Sequence, residues 1–185
     1  MTTPSAADAF RAIRERLLVA ARDRSWFDLW PGVVAARLEL VDAIAPVSEE
    51  QAQWKPAAEA WSIEETIRHL LVSSRGVVAI IDTLAAGRDP GAGAVYDSPG
   101  DLTAHQFAPP FEGAFADLRA AFVTHSVDFA ALPSRLPSNP PLEPTFEHMY
   151  FGPLPAVAWF AFQRIHDGAH LRQLREIEDA PGYPD

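Results

Sequence analysis

Two histidines stand four residues apart near the end of the chain, in the segment His166-Asp-Gly-Ala-His170. If this segment is helical, the two imidazoles lie on one face about one turn apart, and both can bind a single ion. They share that face with apolar residues at helical spacing, namely Trp159, Phe162, Leu174 and Ile177. An isolated buried histidine more often packs in the core with a hydrogen-bonded ring. The pair alone therefore only suggests a metal site.

A third histidine, His69, lies on the shoulder of the apolar face of another predicted helix. His69 lies about two turns from the start of that helix. His166 and His170 lie about two to three turns from the end of the last predicted helix. Antiparallel packing would bring the three rings to a similar height. Three neutral nitrogen ligands leave one coordination position open. We therefore predict that His69, His166 and His170 bind one divalent metal ion.

The composition limits which other ligands and partners are available. The chain has no cysteine, which excludes thiolate ligands, disulfides and a cysteine nucleophile. Histidine accepts zinc, nickel, iron and manganese, so the metal stays open at this point. A formal net charge of −10, with no cluster of Lys and Arg, argues against nucleic acid and anionic membranes as partners. With no signal peptide and no membrane-spanning apolar run, a cytoplasmic location is expected.

Two polar side chains near the predicted ligands are candidate catalytic residues. Glu65 precedes His69 by one turn and is a candidate general base. However, Ser62-Ile-Glu-Glu65 also has the form of a capping box, which is the preferred interpretation. Gln173 follows His170 by about one turn, where it either holds the ring or a bound water, or has no role in the site.

Several other residues are predicted to have ordinary structural roles. Trp54 and Trp61 flank the start of the helix with His69, and core packing is more common for such residues than lining a pocket. Asp167 points about 100° away from His166 around the helix, so it is predicted to be a solvated charge. The arginines are predicted to lie on solvated faces. Surface or structural positions are expected for the other histidines, His105, His125 and His148.

The apolar periodicity predicts helices and no convincing strand. The expected helices are a short N-terminal one from Ser5 to about Arg22, a brief turn within 47–56, and four longer helices at about Pro31–Ala45, Ser62–Gly87, Phe111–Ala131 and Pro153–Ile177. Residues 133–144 contain five prolines and therefore cannot be helical over their whole length. The 24-residue connection 87–110 is long enough to run the length of a helix. We predict an all-α, four-helix bundle with an extra N-terminal helix, as a single domain over 1–185 in which 1–28 is the extension and 31–178 the bundle.

Three segments together resemble the DinB/YfiT superfamily over residues 31–177. They are Trp61-Ser-Ile-Glu-Glu-Thr-Ile-Arg-His69-Leu, then Phe151-Gly-Pro-Leu-Pro, then His166-Asp-Gly-Ala-His170-Leu-Arg-Gln173. The resemblance implies an up-down-down-up bundle, a homodimer, and a site for zinc, nickel or a similar ion at the same three histidines. Two features depart from the family pattern. One is Gly168, which lies between His166 and His170, and the other is the N-terminal helix.

The resemblance also implies candidate activities on a small-molecule substrate, because relatives include metal-dependent hydrolases and thiol-dependent transferases and isomerases. A metal-bound water would be acidified and support hydrolysis, whereas a low-molecular-weight thiol bound as thiolate would support transfer. The preferred interpretation is a transferase or isomerase that uses such a thiol as cosubstrate. The alternatives are a hydrolase that uses a metal-bound water and a non-catalytic, metal-stabilised binding or stress-associated module.

Overall fold

The computed structural model describes residues 5–91 and 111–185, and within these ranges the chain is mainly helical. The helices are α1 (Ala6–Asp23), α2 (Trp26–Ile44), α3 (Glu49–Gln53), α4 (Ile63–Ala85), α5 (Phe115–Ala130), α6 (Leu132–Arg135) and α7 (Ala156–Glu178). The long helices α2, α4, α5 and α7 form a bundle, and α1 packs against α7. This confirms the predicted all-α bundle with an additional N-terminal helix. In these two ranges, no helix is both long and apolar enough to cross a membrane.

The directions of the four long helices follow from two apolar clusters that fill the bundle. One cluster joins the C-terminal parts of α2 and α7 to the N-terminal parts of α4 and α5, through residues such as Ile44, Ile67, Leu118 and Leu174. The other joins the opposite ends, through Val33, Ile81, Phe129 and Trp159. Helices α2 and α7 therefore run one way and α4 and α5 the other, which is the up-down-down-up arrangement. Most of the predicted connection between α4 and α5 lies outside the described residues.

Capping boxes begin the first four helices of the chain. In each, a serine hydroxyl accepts a hydrogen bond from the third residue of the helix, whose side chain accepts one from the serine backbone; the serines are Ser5, Ser25, Ser48 and Ser62. The predicted box of Ser62 and Glu65 is confirmed. The predicted start of α2 at Pro31 is wrong, because the box formed by Ser25 and Asp28 begins the helix at Trp26 and leaves Pro31 inside it.

A short antiparallel hairpin precedes α7, contrary to the prediction of no strand. Strand β1 (Phe146–His148) pairs with β2 (Gly152–Leu154) in the register Phe146 to Leu154. Strands of three residues are too short to show an alternating pattern in the sequence. The indole nitrogen of Trp159 donates to the carbonyl of Phe146 at 3.3 Å, which ties the hairpin to α7.

Candidate metal centre

Two antiparallel helices bring the three predicted histidines together at one level of the bundle. His69 lies in the seventh position of α4, whose first turn is fixed by the capping box of Ser62. His166 and His170 lie one turn apart near the middle of α7. Because α4 and α7 pack directly against each other, the N-terminal part of one helix meets the middle of the other. The predicted convergence of the three rings is what the structure shows.

The distances between the rings suit a single ion. One ring nitrogen from each histidine lies within 4.8 Å of the other two. The Nε2 atoms of His69 and His166 are 3.2 Å apart. Two nitrogens bound at about 2.0–2.1 Å to a tetrahedral ion would lie about 3.3 Å from each other. The donor set and its spacing therefore fit a divalent ion that accepts imidazole ligands.

Gln173 orients one of the three rings. Its Oε1 lies 2.8 Å from Nδ1 of His170 and can accept a hydrogen bond from that nitrogen. With the proton on Nδ1, the lone pair of Nε2 is left free to bind a metal. Such a partner is typical of metal-binding histidines, whose second ring nitrogen usually donates to an oxygen. Gln173 thus contacts the predicted ligand His170, which agrees with the interpretation that it holds this ring.

Burial favours the neutral form of His166 and His170. It lowers the pKa of His166 well below its usual range, and the neighbouring His170, His69 and Arg37 lower it further. Burial likewise lowers the pKa of His170, against the opposing effects of Gln173 and Asp167. A neutral imidazole has a lone pair available, so protons compete weakly for these nitrogens at neutral pH.

Glu65 is engaged on both carboxylate oxygens. Its Oε2 accepts from the backbone nitrogen of Ser62 at 2.9 Å, and its Oε1 accepts from Nζ of Lys55 at 2.8 Å. Burial acts to raise the pKa of Glu65, but the hydrogen bonds from Lys55 and Ser62 outweigh it, and the pKa is lowered. The side chain is therefore an ionised cap of α4, one turn before His69.

One of the two tryptophans adjoins the histidines. The ring of Trp61 makes an edge contact with His69 at 5.3 Å between centroids, and lies nearly parallel to His170 at 6.5 Å. Trp54 instead packs edge-on against Tyr183 near the end of the chain. Trp61 therefore forms an aromatic border of the cluster, as one interpretation of the sequence suggested.

Asp167 and Arg37 are buried, contrary to the prediction of solvated charges. Asp167 is 0% exposed and Arg37 is 2% exposed. The guanidinium of Arg37 donates from Nε to Oδ2 and from Nη2 to Oδ1 of Asp167, at 2.8 and 3.0 Å. The side of α7 that carries Asp167 does not face solvent, because α2 packs on this helix as well as α4. The sequence did contain a signal, since Arg37 falls at helical spacing among Val33, Leu40 and Ile44.

The other described histidines lie outside the cluster. His148 is 6% exposed among aromatic rings, and its Nδ1 accepts from the backbone nitrogen of Tyr150 at 3.2 Å. Nε2 of His125 lies 2.9 Å from the hydroxyl of Ser74. Burial lowers the pKa of both His148 and His125 to about 4. Both have the structural environment that was expected, and His105 lies outside the described residues.

We expect the metal-free protein to lose stability as the pH falls from 6.5 towards 4, partly through His148. The unfolded chain takes up this proton near pH 6.5, whereas the folded protein does so only near pH 4. Complete titration of such a group costs up to about 3 kcal/mol of unfolding free energy. Denaturant unfolding at several pH values should show a steeper acid loss in the wild type than in His148→Gln. Equal pH slopes in the two proteins would contradict this prediction.

Comparison with known proteins places these features in a family context. The sequence profile of the DinB superfamily matches residues 33–174, which is more than half of the chain. The matched range contains all three clustered histidines and most of the four bundle helices. No curated protein and no solved structure shows a significant match.

Proposed function

This chain belongs to the DinB superfamily, and we propose that it binds one divalent ion through His69, His166 and His170 and uses it in a reaction of a low-molecular-weight thiol. The observation that carries the proposal is the group of three ring nitrogens within 4.8 Å of one another. Zinc or nickel is the proposed metal, because both accept imidazole ligands.

The donor set favours chemistry at the position that three ligands leave open. When bound, a divalent ion held by neutral imidazoles keeps its full charge and lowers the pKa of a water or thiol that it binds. Because the chain has no cysteine, any reacting sulfur must come from a cosubstrate. We therefore propose transfer or isomerisation with a small thiol as the reaction class, and a small organic molecule as the substrate.

The two candidate catalytic residues are given supporting roles in this proposal. Gln173 holds the ring of His170 through its hydrogen bond to Nδ1. Glu65 fixes the first turn of α4 through its contacts with Ser62 and Lys55, and so holds His69 in place. Trp61 borders the cluster with an apolar ring, which suits the apolar part of a small substrate.

A metal-dependent assay with a thiol and an electrophile tests this function. Protein stripped of metal and reloaded with zinc or nickel should consume a low-molecular-weight thiol with a chlorinated aromatic substrate, forming a carbon–sulfur bond and releasing chloride and a proton. Stripped protein and His170→Ala should lose at least about 10–100-fold in rate, since even outer partners of metal ligands have effects of this size. His148→Gln is the matched control, because it changes a buried histidine outside the cluster.

The same assay separates the alternatives. Turnover of esters in place of thiols would favour the hydrolase, which uses the same metal site with water. Metal binding without turnover across several thiols and esters would favour the non-catalytic binding module. Either outcome would contradict the thiol-dependent reaction proposed above.

We also propose that the protein is a homodimer, as the resemblance to its family implies. Light scattering at micromolar concentration should then give a mass of twice the 20.2 kDa of one chain. A monomer mass under these conditions would contradict the proposal.

A further inference from the structure

A buried polar network lies beside the histidine cluster and joins all four helices of the bundle. At its centre, Arg37 of α2 binds the carboxylate of Asp167 on α7 through two hydrogen bonds. Its Nη2 also donates to the hydroxyl of Ser74 on α4 at 3.2 Å. His125 of α5 completes the network through Ser74. Sequence reasoning did not predict any of these contacts.

The two partners of Arg37 lie on the two helices that carry the clustered histidines. Asp167 stands between His166 and His170 in the sequence of α7, and Ser74 follows His69 by five residues on α4. A single guanidinium therefore contacts both ligand-bearing helices within about one and a half turns of the cluster. Helix α2 contributes none of the three clustered histidines, yet its Arg37 bridges the helices that do.

The surroundings hold this guanidinium in one orientation. The Cζ atom of Arg37 lies 5.1 Å from the ring centre of Phe122 and 5.0 Å from that of Phe129, both on α5. The planar fork of arginine fits a carboxylate in one geometry, with both hydrogen bonds made at once. A shift of α7 against α2 would break at least one of these bonds in a place that water does not reach.

Stability alone is a poor explanation for this network. Taking two charges out of water costs free energy that their mutual attraction often only offsets, so an apolar pair of similar volume is frequently as stable. The best attested use of a buried ion pair is to select one arrangement of the packed elements. Here the arrangement at stake is that of α4 and α7.

We propose that Arg37 is a positioning residue for the metal centre: by binding Ser74 and Asp167 together, it sets the separation and rotation of the two helices that carry the ligands. This inference rests on the proposed metal binding by the three histidines. Metal sites require ligand positions within about 0.2 Å of their ideal distances. A slight rotation of α7 would therefore move His166 and His170 out of reach of an ion held by His69.

The test compares cobalt binding in the wild type and in the full-length double variant Arg37→Met/Asp167→Leu. This variant removes both charges; methionine is close to arginine in volume, and leucine keeps the branched shape of aspartate with a larger volume. We expect its affinity for Co²⁺, measured against a competing chelator, to fall about 10–100-fold, as for other residues that hold metal ligands in place. The visible absorption of the bound cobalt, which reports coordination geometry, should also change.

Two further variants keep the test decisive. Ile81→Ala, at a fully buried position in the other apolar cluster, controls for lost stability and should keep both the affinity and the spectrum. Ser74→Ala removes only the bond from Arg37 to α4, and a smaller loss of affinity is expected even if the double variant does not fold. Wild-type affinity and spectrum in a folded double variant, or in Ser74→Ala, would overturn the positioning role. A wild-type protein that binds no cobalt would overturn the metal site itself, and with it this inference.

Discussion

Replacing His166 by alanine is expected to remove nearly all bound metal from the purified protein. Its Nε2 lies 3.2 Å from that of His69, so the substitution removes one of two nitrogens at the spacing that a single ion requires. Two imidazoles would remain, and the loss of affinity should exceed the 10–100-fold that is typical of removing an outer hydrogen-bond partner. Elemental analysis after dialysis against a chelator measures the effect.

A matched variant makes this result specific to the cluster. His148→Gln also replaces a buried histidine, but His148 is not one of the three clustered histidines, and its ring packs against Phe151 and Phe162. It should retain the wild-type metal content. Equal metal contents in His166→Ala and the wild type would show that His166 is not a ligand.

The single variant Asp167→Leu should lose about 3–5 kcal/mol of unfolding free energy in the metal-free protein, because it leaves the charge of Arg37 buried without its partner. Arg37 is only 2% exposed, and its Nε and Nη2 both donate to the carboxylate that is removed. Addition of Arg37→Met should recover most of the loss. Denaturant unfolding at neutral pH measures both variants.

The unfolding free energies of the single variant Asp167→Leu and the double variant Arg37→Met/Asp167→Leu distinguish a buried charge from a packing defect. A single variant as stable as the wild type would show that Asp167 does not compensate the buried charge. A double variant as unstable as the single one would show that the loss comes from packing. Neither result depends on metal, so stability and metal binding are tested separately.

The sequence predicted the histidine cluster because each part of that prediction depends on local spacing. The interval between His166 and His170 matches one helical turn, and the capping box of Ser62 fixes where the helix with His69 begins. The prediction also required antiparallel packing of α4 and α7, which brings the three rings to a similar height and which the structure has. The family resemblance supplied the order of helix directions, which the two apolar clusters confirm.

The buried ion pair was missed because it joins two helices that are far apart in the sequence, α2 and α7. Periodicity around α7 identifies one apolar stripe, but not which neighbouring helix covers the side that Asp167 occupies. Arg37 lies among apolar residues of α2, and its charge is compensated there by Asp167 of α7. The sequence alone does not identify this partner. The hairpin before α7 was missed for a different reason, since its strands have three residues each.

The central claim is that His69, His166 and His170 hold one ion together, and a crystal structure of zinc- or nickel-loaded protein with anomalous scattering at the metal edge tests it directly. We expect one anomalous peak, with a nitrogen of each of these three residues at about 2.0–2.1 Å for zinc. A peak elsewhere, or one that any of the three rings does not reach, would contradict the proposed site.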